Sequence, residues 1–267
     1  MKQVALTIFS VILSLGILVG VVSTARASEL PVFQFRCGLV KTAAIDPITD
    51  DPESHRHVFY GNTRVRADST YKSLVSHKGT TCLRKMVTTS YWHPVVRFGS
   101  ERLEPRFITV YYSGLGDLRS LRHIPDGLMM IGNEANGDVD YICGAGNAKD
   151  VDSPPYGCKA EKFRIRVDFP KCWDGESLRP ESLHEGPSFG NCPPGMAKIP
   201  RLRVSIHYDL NRPLKSPMRV SAGGGEWRDA SFMHADAFEA NQQPQFNDAI
   251  KSCVMKHNHS NLCTGGI

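Results

Sequence analysis

Eight cysteines, at positions 37, 82, 143, 158, 172, 192, 253 and 263, constrain this chain more than any other feature. All of them follow an N-terminal stretch that reads as an export leader. Lys2 precedes an apolar run from Val4 to Val22, and Ala25-Arg26-Ala27 gives the Ala-x-Ala ending that signal peptidase cuts. An uncleaved anchor remains the alternative, because the run approaches the roughly 20 residues that span a bilayer. An even cysteine count behind an export signal implies a disulfide framework. A zinc reading of the cysteines is poor, since no Cys-x-x-Cys occurs. Local spacing favours Cys143–Cys158, Cys172–Cys192 and Cys253–Cys263, which leaves Cys37 with Cys82. Each closure is worth about 2–4 kcal/mol, mainly by restricting the unfolded chain. The expected location is outside the cell, free or associated with the wall, with no membrane contact once residues 1–27 are removed.

The remainder, residues 28–267, reads as one mainly β domain. In Phe163–Phe169 the apolar residues Phe163, Ile165, Val167 and Phe169 alternate with Arg164, Arg166 and Asp168. Leu202–Tyr208 repeats the pattern with Leu202, Val204, Ile206 and Tyr208. Period two over seven residues marks strands with one buried face, which suits antiparallel sheets. Segments 32–37, 107–112, 128–132 and 139–143 look like further strands. Three stretches rich in turn residues (144–161, 171–200 and 209–230) separate them, and disulfides would tie down at least two of these. Pro244 opens a C-terminal helix with Phe246, Ile250, Cys253 and Val254 on one face. The expectation is an antiparallel β-sandwich or jelly-roll-like domain with long stapled loops and a C-terminal helix.

Charge excludes one class of partner. Taking Lys2 and Arg26 from the chain's +5 leaves +3, and the basic residues are scattered, so there is no nucleic-acid footprint. Attraction to acidic glycans is compatible with that charge. A monomer is expected.

The candidate chemistry lies in the ten histidines. His77, His123, His207, His257 and His259 sit in polar surroundings and read as solvated. His55 and His57 differ: in an extended segment, residues i and i+2 project from one face. Two imidazoles so placed suit a transition metal or a paired hydrogen-bonding site; the plain alternative is a surface strand with two polar residues. His234 and Asp236 form a second pair, in which the carboxylate can hold the ring in one tautomer. A local bond at a helix start would explain that pair equally well. His184 lies among carboxylates in a Gly-Pro loop. Tyr91 and Trp92 precede His93 and either stack on sugar rings or fill core. No Gly-x-Ser-x-Gly, phosphate loop or His-Glu-x-x-His occurs, and Gly223–Gly225 reads as a flexible loop.

Taken in order, "DPITDDPESHRHVFYGN", "TTC", "SYWHPV", "VYYSG", "IPDGLMMIGN", "FRIRVDFPKCWDGESL", "CPPGMAKIPRLRVSIHYDL" and "MHADAFEA" resemble a family of secreted bacterial and fungal proteins, domain of unknown function nineteen-ninety-six. The resemblance runs from about residue 46 to residue 253. It implies motif positions at His55, His57, Tyr91, Trp92, Cys172, Trp173, Asp174, His234 and Asp236. Similar proteins carry a Ser-His pair and further histidines after Trp-Asp-Gly, where this chain has only His184. They also carry a tryptophan in the stretch after His-x-Asp, which here reads "AFEANQQPQF".

Three readings follow. The first is a secreted lyase or hydrolase of extracellular or wall polysaccharide, with His55, His57, His234, Asp236 and Tyr91 catalytic and Trp92 and His184 holding substrate. The second is a zinc or copper site on His55, His57 and His234. The third is a glycan-binding module of the wall without catalysis.

Overall fold

The computed structural model describes residues 31–264, apart from 52, 115, 134–137, 145–157, 159–161, 187–190, 211–212, 215 and 257–259. The leader, most of the 144–161 stretch, His257 and His259 lie outside the described residues.

Two five-stranded antiparallel sheets make the body. One has the spatial order Val32–Cys37, Phe107–Ser113, Arg201–Asp209, Lys162–Asp168, Val139–Cys143. The other runs Leu39–Ala43, His57–Gly61, Ser90–Pro94, His234–Phe238, Met129–Asn133. They pack face to face. Ile108, Val110 and Tyr112 of the first sheet and Val58, Tyr60 and Tyr91 of the second belong to one buried cluster. The Tyr91 and Tyr112 hydroxyls meet at 2.7 Å across that interface. The sandwich expected from the alternating strands is therefore present.

The outer face of the first sheet is not simply wet. Asp168 is buried there between Arg201 and Arg203, and Arg166 pairs with Asp140 on the neighbouring strand. Opposite charges on adjacent strands stabilise a sheet through cross-strand pairing. The second sheet is covered on both sides. On the face turned from the sandwich interior, Phe59, Trp92 and Phe238 pack under Ile48, Val65 and Leu74. Those last three come from the segment before the His57 strand, the segment after it, and the short helix Tyr71–Ser76. Two of its three inner strands, His57–Gly61 and Ser90–Pro94, are buried at every position. A strand covered on both faces loses the period-two signal.

The four disulfides form as the spacing favoured: Cys37–Cys82, Cys143–Cys158, Cys172–Cys192 and Cys253–Cys263. The stretch 171–200 is less irregular than its composition implies. Cys172–Trp173 pairs with both Leu183–His184 and Ala197–Lys198, strands too short for any period to be read. Pro244 does precede a helix, Gln245–Ile250, which continues as a wider turn over Lys251–Met255. Phe246, Ile250, Cys253 and Val254 are buried, and Phe246 sets its edge on Tyr112. Among the described residues, no helix is long and apolar enough to cross a membrane.

Candidate metal centre

Strand register brings distant histidines together. His57 pairs with Pro94, and Trp92 pairs with Asp236. Two residues back from Asp236, His234 falls level with Pro94. His57 and His234 thus stand in one row across three strands, with the small proline ring between them. The row spans two strand spacings, roughly 9.6 Å, so two imidazoles can lean toward a common point. Phe59, Trp92 and Asp236 form the next row on the same face. His55 joins from the bend before the strand. The ring centroids of His55 lie 4.0 Å from His57 and 5.3 Å from His234, and those of His57 and His234 are 5.8 Å apart.

Hydrogen bonds fix which nitrogens face inward. The His57 Nδ1–H donates to the Ile45 carbonyl at 2.9 Å, and the His234 Nδ1–H donates to the Phe232 carbonyl at 2.9 Å. A carbonyl only accepts, so each Nδ1 carries the proton and each Nε2 keeps a lone pair. Local structure holds both carbonyls in place. Asp46 and Asp51 bridge a turn just after Ile45. A single 3-10 turn, Ala230–Phe232, capped by Asp229, precedes His234. For His55, Nδ1 lies 3.4 Å from the Ser54 hydroxyl.

Among the described residues, His55 Nε2, His57 Nε2 and Asp236 Oδ2 are buried without a hydrogen-bond partner. The Asp236 Oδ2 is 3.6 Å from His234 Nε2, too long for a hydrogen bond. Buried polar atoms in native proteins are nearly always satisfied, so four groups converging with so little bonding call for an explanation. Electrostatics tell the same story. Burial first, then the charges of His55 and His234, hold the His57 imidazolium well below its usual range. Burial pushes His234 down to about 4. Burial also lowers His55, against the pull of Asp46 and Asp51. Burial and Asp46 push the Asp236 carboxyl well above the normal carboxylate range. All three rings are neutral at neutral pH, which is the state that binds a metal.

The donor set fits such an ion. One ligand atom from each of His55, His57 and His234 can be chosen so that all lie within 4.8 Å of one another. Tetrahedral zinc at roughly 2.0–2.1 Å to nitrogen needs about 3.4 Å between nitrogens. The closure required is therefore at most about 1.4 Å. Carbonyls gripping the distal ring nitrogens are the usual outer support of metal-bound histidine.

Other expected site residues lie elsewhere. Tyr91 faces the sandwich interior, on the opposite side of its strand from Trp92 and the histidine row, where its hydroxyl meets Tyr112. The structure does not bring Tyr91 together with the histidines: one residue of offset in a strand reverses the face. Trp92 does share the histidine face, but it is 1 % exposed and stacked on Phe59 at 5.6 Å. It cannot present a surface to a sugar. His184 is an exposed residue of the three-stranded sheet, where its Nδ1 accepts from the Gly186 N–H. Of the motif positions implied by resemblance, Cys172 is in a disulfide and Trp173 Nε1 donates to the Ser177 carbonyl. Asp174 caps a turn through the amides of Glu176 and Ser177. These three build structure. His93, read only as part of an aromatic block, is fully buried. Its Nδ1–H donates to the Pro94 carbonyl and its Nε2 accepts from the Tyr60 hydroxyl at 3.0 Å. Two good bonds account for it.

A family model described as Domain of unknown function (DUF1996) matches residues 46–261. The chain belongs to that family. The DUF1996 match takes in all three histidines and Asp236, and extends past residue 253, through the C-terminal helix. No curated relative and no solved structure matches the chain.

Proposed function

We propose that this DUF1996 chain is an exported transition-metal protein, with zinc or copper held by His55, His57 and His234. Asp236 is the fourth ligand or the base beside a bound water. The observation that carries the reading is the convergence of three imidazoles, two of them held by carbonyls through Nδ1 (His57 and His234) and two with a buried Nε2 lacking a partner (His55 and His57). Nitrogen donors suit zinc and copper over magnesium or calcium. His55 and His234 are only half-buried, which leaves a side for the ion to enter. A bound ion would supply Lewis acidity or redox chemistry according to its identity. Export rests on the leader sequence and the four disulfides.

The test is metal content of untagged protein by mass spectrometry, with thermal melts after chelation and after return of zinc or copper. Near one equivalent of metal, or a clear rise in melting temperature absent from His234→Ala, is expected. Metal-free protein that gains no stability from either ion overturns the reading.

Action on extracellular polysaccharide is the second reading. Its support is a buried carboxyl, Asp236, whose affinity for a proton burial raises, set beside imidazoles, a pairing suited to proton transfer. Turnover of a wall polysaccharide that vanishes in His57→Ala, with folding intact, is its expected result. Unchanged turnover in that variant removes it.

A further inference from the structure

Beside the histidine row, two hollows adjoin on the surface. One, of about 710 Å³, is lined by Lys41, Arg64, Arg66, Asp68, Ser73 and His77 among others. The second, of about 450 Å³, shares Lys41, Arg66 and Asp68 and reaches Ile45 and Asp50. Both sizes fall in the range of small-ligand sites. The second hollow touches the residue whose carbonyl anchors His57. Lys41 pairs in register with Phe59, two positions along the strand from His57, a rise of roughly 7 Å.

The charge lining the first hollow is lopsided. Lys41, Arg64 and Arg66 face a single carboxylate, Asp68, and that one pairs with Arg66 at 3.4 Å at the exposed rim. Among the described residues, no carboxylate forms an ion pair with Lys41 or Arg64. The Lys41 ammonium donates instead to the neutral Val65 carbonyl at 2.6 Å, and lies over the Phe59 ring, 5.7 Å from its centroid. Burial and the neighbouring Arg66 charge both act against its proton. Across the joined hollows three cations, Lys41, Arg64 and Arg66, meet two carboxylates, Asp68 and Asp50; the excess of cations is stabilised by an incoming anion, and arginine forks match carboxylate and sulfate geometry. The rest of the wall is hydroxyl and imidazole: Thr63, Ser73 and His77 offer hydrogen bonds to sugar hydroxyls. Its apolar lining is confined to Val65, and that of the second hollow to Ile45 and Ala67.

We infer that the joined hollows bind an anionic saccharide, with Lys41, Arg64 and Arg66 reading its acidic groups and the chain running toward the histidine row. This goes beyond the metal reading and does not depend on it. Uronate carboxylates and sulfate esters share the recognised chemistry.

The test is calorimetric titration of chelated full-length protein with three probes: galacturonate oligomers, chondroitin sulfate oligomers and neutral xylan oligomers. At least one acidic probe binds at least tenfold more tightly than the neutral one, and which does so identifies the source of charge. Arg64→Glu with Arg66→Glu, both exposed and so compatible with folding, lowers that affinity at least tenfold. The matched reversal Arg219→Glu with Arg228→Glu, outside the hollows, leaves it within twofold. Equal binding of the neutral probe, absence of acidic binding, or equal loss in both double variants overturns the inference. Because the protein is chelated throughout, failure here leaves the metal reading untouched, and the reverse also holds.

Discussion

The second sheet carries two buried polar groups of opposite character on one strand. At the start of His234–Phe238 stand His234 and Asp236, facing His55 and His57. Just past its end stands Glu239, 2 % exposed, turned into the sandwich. Both regions bury a carboxyl with no cationic side chain bonded to it. Yet Glu239 Oε1 accepts from the Tyr112 hydroxyl at 2.8 Å, and Oε2 accepts from Thr89 at 3.0 Å and Asn241 at 2.6 Å. Tyr91 donates in turn to Tyr112. Asp236 Oδ2 has no such donors among the described residues. A satisfied polar network specifies a core, whereas an unsatisfied one costs stability unless something fills it. The difference separates a carboxyl with donors on both oxygens from one that leaves an oxygen unpartnered, without reference to chemistry at either.

The comparison can be broken in several ways. The largest effect is expected at Glu239. Glu239→Ala strands three donors and opens a cavity, and should cost about 4 kcal/mol by denaturant titration. A loss under about 1 kcal/mol would mean the network is not structural. Next comes pH. Burial outweighs the three donated bonds and holds the Glu239 carboxyl up at about 7, from an ordinary 4.5. A raised carboxyl binds more protons folded than unfolded, so stability falls as pH rises between those values. The loss is about 3 kcal/mol, by the proportion of 1.36 kcal/mol for each unit. Chelated protein should show that slope and Glu239→Gln should lack its Glu239 part; identical slopes would refute the assignment. The third test is the metal. Zinc at a hundredfold excess over its dissociation constant should add about 2.7 kcal/mol to the wild type and nothing to His234→Ala. The smallest effect sharpens the contrast most. In chelated protein Asp236→Asn should cost less than about 1 kcal/mol, because no bond to Oδ2 is lost and a buried acid without donors is removed. A cost approaching that at Glu239 would erase the distinction drawn between the two carboxyls.

What could be read from sequence follows from how each element is covered. Lys162–Asp168 and Arg201–Asp209 bury one face among apolar neighbours and line the other with charges, so their alternation is plain. His57–Gly61, Ser90–Pro94 and His234–Phe238 are covered on both sides, and their residues carry no period. The pairing of His55 with His57 was legible because i and i+2 share a face within one segment. That His234 completes the set depends on strand order, with Ser90–Pro94 placed between, which no local pattern encodes. The faces of Tyr91 and Trp92 likewise depend on register. The carbonyls of Ile45 and Phe232 left no mark at all, since every residue has one. The disulfides were legible because three of them close short loops.

Those four bridges have one more consequence. Their spans are 45, 15, 20 and 10 residues, and they lie one after another along the chain. None fastens the first hundred residues to the last forty. An ion gripped by His57 and His234 would add a clasp between the two ends to the pairing of Ser90–Pro94 with His234–Phe238, closing a circuit some 177 positions long. Withdrawing it would leave every covalent bond intact and the two ends held by strand pairing and core packing alone.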